Sequence, residues 1–230
     1  MPAERAPTET ERRVLAAALE VFAEKGLHGA TTQEIGTVAG VKKSTLHYYF
    51  RHKDELYARV FEDAFVEMAG PLRGRLRPDQ SLEETLEAFI GYQVRAYAER
   101  PAMVRLWMHE NLIGAPIAVL LLRRFNRLED SPYRIFVDNL RAAIERGESR
   151  PLDPLQTFVS VMGACLFLPI ALESMEASLD VMAEGPFDLE TFIDERTAHL
   201  VDLILGGLRP SSKGDRGPAR SPTDTRSAPP

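Results

Sequence analysis

An all-helical fold is the class this sequence predicts, on three observations. Apolar residues recur at three- and four-residue spacing through nearly every segment up to about Leu205, no run alternates apolar and polar residues as a half-buried strand does, and capping and stopping signals fall between the periodic stretches. The 230 residues allow a sizeable core in one large or two small domains, and no internal repeat is apparent.

The first helix is expected from about Thr8 to Lys25, with Val14, Leu15, Ala18, Leu19 and Phe22 on one face and Gly26 as its stop. His28 and Gly29 form a short connection. Thr31-Thr32-Gln33-Glu34 has the spacing of a capping box, in which the threonine hydroxyl caps a new helix while Glu34 reaches back to the free amide. That second helix carries Ile35, Val38 and Ala39 inward and ends at Ala39-Gly40-Val41. After a tight turn, a third short helix spans Lys42 to Phe50, with Leu46 and Phe50 as its inward pair. A fourth begins at His52, with Asp54 and Glu55 in its first turn where the helix dipole favours them, and runs through Leu56, Val60, Phe61 and Phe65 to Gly70-Pro71. Further helices are expected at about Ser81–Arg100, Ala102–Ile113, Pro116–Arg146 (with a break allowed at Ser131-Pro132), Asp153–Met182 and Asp188–Leu208. The segment from Gly206 to Pro230 has five prolines and almost no large apolar residue, so it is expected to be disordered.

Composition excludes several functions. No apolar run approaches the length of a membrane span, and the N-terminal stretch has charges inside its apolar part and no small-residue cleavage site, so a cytoplasmic protein is expected. The one cysteine, Cys165, cannot form an intramolecular disulfide or a multi-thiolate metal site. His109-Glu110 begins a zinc-protease pattern, but the second histidine is missing because position 113 is Ile, and no nucleophile-base pair or phosphate loop stands out. No enzyme activity, metal or cofactor is expected.

The net charge of -6 hides an uneven distribution. From His28 to Lys53 there are four cations (Lys42, Lys43, Arg51, Lys53), three histidines and the single carboxylate Glu34, while the acidity belongs mostly to residues 71–205. Two short helices joined by a Gly-containing turn, inside this basic patch, form a helix-turn-helix whose second helix would enter a DNA major groove. Leu46 and Phe50 hold that helix to the core, leaving Lys43, Ser44, His47 and Tyr48 outward to meet base edges and phosphates. The helix opening at Thr31-Thr32 offers amides and hydroxyls to one phosphate, and Lys53 a cation to another.

The stretch from Phe22 to Val60, centred on TTQEIGTVAGVKKSTLHYYFRHKDEL, resembles the TetR family of transcriptional regulators. The Thr-Thr opening, the Ala-Gly-Val turn, the Ser-Thr-Leu followed by three aromatic-class residues and Phe50, and the Lys-Asp-Glu-Leu lead into the next helix occur in the family's order and spacing. The resemblance implies a DNA-facing set of Thr31, Thr32, Gln33, Lys42, Lys43, Ser44, Thr45, His47, Tyr48, Tyr49 and Lys53. Three positions depart from the family's pattern: Lys42 stands where a capping Ser is usual, His47 where Tyr is usual, and His52 where Ser or Asn often caps. It further implies a DNA-binding domain over 1–52, a helical ligand-binding and dimerisation domain over 53–208, and a tail over 209–230. The partners so implied are a near-palindromic double-stranded DNA operator, a small-molecule effector and a second copy of the chain, in a homodimeric repressor released by its ligand.

In the second domain the residues themselves are less telling. Phe65, Met68, Phe89, Tyr92, Met103, Trp107, Met108 and Phe125 are candidate lining for a pocket; taken singly each is better explained as ordinary core, and taken together they suggest an apolar or aromatic ligand. Arg95, Arg105, His109, Glu110 and Asn111 are nearby candidates to orient a polar group. Phe158, Met162, Cys165, Leu166, Phe167 and Ile170, with Phe192, Leu200, Leu203 and Ile204, are expected to bury apolar surface in a four-helix dimer interface. The competing readings are a helical small-molecule carrier without DNA binding, or an enzyme.

Overall fold

Helices start where the sequence supplies a cap. In the computed structural model, which describes residues 7–182 and 188–210, Thr8, Thr31 and Ser81 form capping boxes with Glu11, Glu34 and Glu84, and Asp153 and Asp188 accept hydrogen bonds from first-turn amides. Three other helices open on a proline, whose missing N–H costs nothing there. The described residues form α1 (Glu9–Gly29), α2 (Thr32–Ala39), α3 (Lys43–Tyr49), α4 (Lys53–Ala69), α5 (Leu82–Glu99), α6 (Pro101–Leu112), α7 (Pro116–Phe125), α8 (Pro132–Glu145), α9 (Pro154–Ile170), α10 (Leu172–Met182) and α11 (Leu189–Leu208), with a 3₁₀ turn at Gly70–Gly74 and no strand. The all-helical expectation holds.

Four local expectations change. Gly26 does interrupt α1, at φ 67°, ψ 178°, but the chain resumes a helical turn as far as Gly29. Val38 is 60% exposed rather than inward, because α2 buries the arc Ile35, Gly36 and Ala39, and Gly36 must face the turn: a Cβ there would lie 3.3 Å from the Val41 carbonyl oxygen. Over Pro116–Arg146 the break allowed at Ser131-Pro132 is present, since Pro132 starts a helix and cannot continue one, but the first part, α7, already ends at Phe125. The helix expected over Asp153–Met182 likewise breaks at Ala171, just after Pro169 removes a ladder donor.

Two buried clusters organise the chain. The first joins Val14, Ala18 and Phe22 of α1, Ile35 and Ala39 of α2, Leu46 and Phe50, and Leu56, Tyr57 and Val60 of α4, and it extends to Met103 and Leu106 of α6 and Ala118 of α7. The second is built on α5, α8, α9 and α11 around Phe89, Ile90, Phe136, Leu140, Val161 and Leu200. Packing therefore passes from one cluster to the other along α4 rather than at its first residue, so the expected boundary at 52/53 does not separate two independent cores. Docking between the halves is mainly α1 on α6, where a Cβ on Gly26 would come 3.0 Å from the His109 ring. In the tail expected over 209–230, positions 211–230 lie outside the described residues.

Candidate nucleic-acid interface and ligand cavity

The α2–α3 pair is fixed from behind and open in front. Thr31 Oγ1 accepts from the Glu34 amide at 3.2 Å, the Glu34 carboxylate accepts from the Thr31 amide at 3.1 Å, and Lys25 of α1 pairs with Glu34 at 2.6 Å. These partners hold the Glu34 carboxyl below its usual range, the Lys25 ammonium first among the causes. Gly40 ends α2 in the left-handed region at φ 63°, ψ 35°, where a side chain is strained. Arg13 of α1 donates to the Ala39 carbonyl at 2.6 Å, closing the exposed end of α2 from the neighbouring helix.

On α3 the only fully buried side chain is Leu46, and Phe50 follows it at 6% exposure. Lys42, Lys43, Ser44, His47 and Tyr48 are exposed, Tyr48 to 82%, and Thr45 is half-buried. On α2, Thr31 and Gln33 are exposed and Thr32 half-buried. Besides Thr31, bonded to Glu34, two more residues of the DNA-facing set have structural partners. The Tyr49 hydroxyl accepts from Thr8 Oγ1 at 3.0 Å and its ring meets Tyr48 edge-on at 5.2 Å, while Lys53 Nζ donates to the Ala30 carbonyl at 2.8 Å. Neither Lys42 nor His52 makes a side-chain cap, as their departures from the family pattern imply.

A cavity of about 580 Å³ lies between α4, α6, α7, α8 and α9, within the range of small-molecule sites. Of the eight expected lining residues, Phe65, Met68, Met103 and Trp107 line it, and Phe89, Tyr92, Met108 and Phe125 do not. Phe89 is instead core, 4.4 Å from the ring of Phe136; the Tyr92 hydroxyl donates to the Met68 carbonyl at 2.7 Å; Phe125 packs edge-on behind Phe65 at 5.2 Å; Met108 is half-buried elsewhere on α6. Phe158, Met162 and Leu166, expected at a dimer interface, line the cavity as well. Phe61, Tyr97, Leu122 and Tyr133 complete much of the wall. Phe61 and Phe65 sit one turn apart on α4, a spacing visible in the sequence, whereas Tyr97 and Tyr133 belong to helices that only tertiary packing brings together.

The wall connects with the DNA-facing unit. Trp107 stacks on Phe61 at 5.6 Å, Phe61 lies 6.4 Å from Tyr57, and Tyr57 meets Phe22 of α1 edge-on at 5.0 Å. Beside this column Glu110 is fully buried, and one of its oxygens accepts from the Ile117 and Ala118 amides at 2.6 and 3.1 Å. It caps α7 from α6, because Ala115 at the start of α7 has no capping side chain. Burial, then the neighbouring Glu110 carboxylate, pushes the Tyr57 hydroxyl far above its usual value. Of the other polar candidates, Arg95 pairs with Asp194 of α11, and Asn111 alone lines the cavity.

Among the expected interface residues, Leu200 is buried, Phe192 and Ile204 are half-buried, and Leu203 is 60% exposed. The open apolar face of α9 keeps Phe167 and Ile170 of the expected set, 58 and 44% exposed, and adds Leu155 and Val159, 57 and 64% exposed. Leu155, Val159, Gly163 and Phe167 recur every four residues, which puts them on one stripe.

Residues 14–60, which cover α1 to the middle of α4, match the sequence profile of the bacterial regulatory proteins of the tetR family. The HTH-type transcriptional regulator RutR of Escherichia coli K12 is 25% identical over 210 residues, covering 90% of this chain and 93% of its own. A bacterial regulatory protein of the tetR family from Rhodococcus RHA1 has the same fold, with a TM-score of 0.70 at 19% identity over 89% of this chain and 100% of its own. A transcriptional regulator from Streptomyces coelicolor superposes with a TM-score of 0.63 at 26% identity, over 88% of this chain and 100% of its own. With its capped α2, glycine turn and outward-facing α3 joined through α4 to a helical domain, the chain carries over residues 14–60 the DNA-binding segment of the tetR family of bacterial regulatory proteins and is similar along most of its length to transcriptional regulators with that segment.

Proposed function

We propose that the protein is a homodimeric repressor that binds a near-palindromic operator through α2 and α3 and leaves it when a small molecule enters the cavity. The observation that carries this reading is the continuity of α4: Leu56, Tyr57 and Val60 pack in the core that holds α3, and Phe61, Phe65 and Met68 on the same helix line the cavity. A ligand that separates α6 and α7 from α4 tilts the helix on which the DNA-facing unit rests. In a dimer the distance between the two α3 helices then changes, and both half-sites are no longer met at once.

Within this reading Lys43, Ser44, His47 and Tyr48 contact base edges or phosphates, Thr31, Thr32, Gln33, Lys42 and Thr45 set the register, and Tyr49 and Lys53 contribute while bracing α3 and α4. The second copy packs on the α9 stripe and Leu203 of α11, whose exposed apolar side chains supply the centre of an isologous interface.

Selection from a random duplex library, followed by anisotropy titration at two salt concentrations with unrelated competitor DNA, tests the reading. The expected result is a consensus of two inverted half-sites centred about one helical turn apart, bound in the presence of competitor. Enrichment of no sequence, with binding lost equally to any DNA, rejects it.

A further inference from the structure

We propose that the effector is uncharged: an apolar or aromatic body with a hydroxyl, carbonyl or amide at one end, and neither a carboxylate nor an amine cation. The inference rests on the cavity being the effector site. None of the described residues lining it is a Lys, Arg, His, Asp or Glu. Its polar groups are neutral amides and phenols, Asn111, Asn126, Tyr97 and Tyr133, and burial holds the Tyr133 hydroxyl up at about 12, so it stays protonated at neutral pH.

The cations of the surrounding elements do not line the cavity, and several are held elsewhere by carboxylates. Arg73 pairs with Asp130 at 2.8 Å and lies over the outer ring Phe125, Arg100 pairs with Glu67 at 3.2 Å, and Arg124 pairs with Glu62 at 3.7 Å. Arg105 and Arg123 are exposed and do not line the cavity. A buried ion with no countercharge gives up its charge or stays out, whereas a neutral polar group needs only a hydrogen bond. Those bonds are on offer. Asn111 Nδ2 is used by the Trp107 carbonyl at 2.8 Å and Asn126 Oδ1 by the Ser131 hydroxyl at 3.0 Å, but Asn111 Oδ1, Asn126 Nδ2 and the Tyr133 hydroxyl make no hydrogen bond among the described residues.

Trp107 is the chain's single tryptophan and lies in the wall, so its emission reports the cavity directly. Titrating the full chain with decan-1-ol, decanoate and decylammonium at neutral pH should give a saturable change with decan-1-ol, and binding at least tenfold weaker for both ions. Decanoate or decylammonium binding as tightly as decan-1-ol, or no saturable change with any of the three, overturns the proposal. Asn111→Arg, at an exposed position of the wall, should raise the affinity for decanoate at least tenfold relative to that for decan-1-ol; a ratio that stays as it was assigns the discrimination to something other than charge and also overturns it. Operator binding followed in parallel separates the two readings: decan-1-ol that binds beside Trp107 without releasing DNA leaves the cavity's chemistry standing and rejects the effector role.

Discussion

Leu46 and Lys43 lie three residues apart on one short helix and do opposite work. Leu46 is 1% exposed and is the only fully buried side chain of α3, so Leu46→Ala should cost about 2–5 kcal/mol in denaturant unfolding. Lys43 is exposed, and Lys43→Ala should leave the unfolding midpoint unchanged while weakening operator binding by about 1–3 kcal/mol in a titration against the selected duplex. The pairing is what makes the experiment sharp: a Lys43 variant that loses stability, or keeps full affinity, removes this residue from the DNA face. Gly26 is the other residue whose conformation decides its identity. At φ 67°, and with a Cβ position 3.0 Å from the His109 ring, Gly26→Ala should destabilise by about 1–2 kcal/mol and disturb the α1–α6 contact, which thermal melts and operator release by ligand would both register.

At the scale of elements, the caps explain why so much of the DNA-facing half could be read from the sequence. Thr31 to Glu34 and Ala39 to Val41 encode the two ends of α2 within the segment itself, and Leu46 with Phe50 encodes which side of α3 is inward, so local chemistry determined local structure there. Val38 shows the limit. Its spacing fits an inward face, yet Gly36 must meet the turn at Val41, and that contact between elements chose a different buried arc. The same limit exchanged the roles of Phe158, Met162 and Leu166: their apolar character was legible, but whether α9 turns them to a cavity or to a partner depends on how α4, α6 and α7 pack. Phe89 and Phe125 were misplaced for the converse reason, each filled in by aromatic neighbours from other helices. The caps also give a pH signature. Glu34 is held below its usual range by Lys25 and Thr31, so its contribution is fully present above the ordinary carboxylate value and is lost as the pH falls through the depressed one. Glu34→Gln should therefore lower the melting temperature at neutral pH and flatten its decline between about pH 5 and pH 3; an unchanged acid decline excludes this carboxylate as a contributor.

In the whole molecule, operator selection by the proposed homodimer depends on where the second copy sits, since a single α3 reads too few base pairs to select one site. Leu155, Val159, Phe167 and Ile170 form an open stripe on α9, and Gly163 within it has nothing within 4 Å of a Cβ position, so another helix can approach closely there. Val159 also belongs to the cavity wall, so the stripe and the cavity adjoin at this residue. Phe167→Glu, at a site already 58% exposed, should leave the helical content and the Trp107 emission of the free protein unchanged while converting the dimer to monomer in sedimentation. Because one half-site supplies only part of the phosphate contacts, the monomer should also lose specific operator affinity and show a shallower salt dependence than the dimer. Retained dimerisation would move the interface off α9, and a monomer that still binds the full operator tightly would reject the two-half-site geometry while leaving the α3 contacts intact.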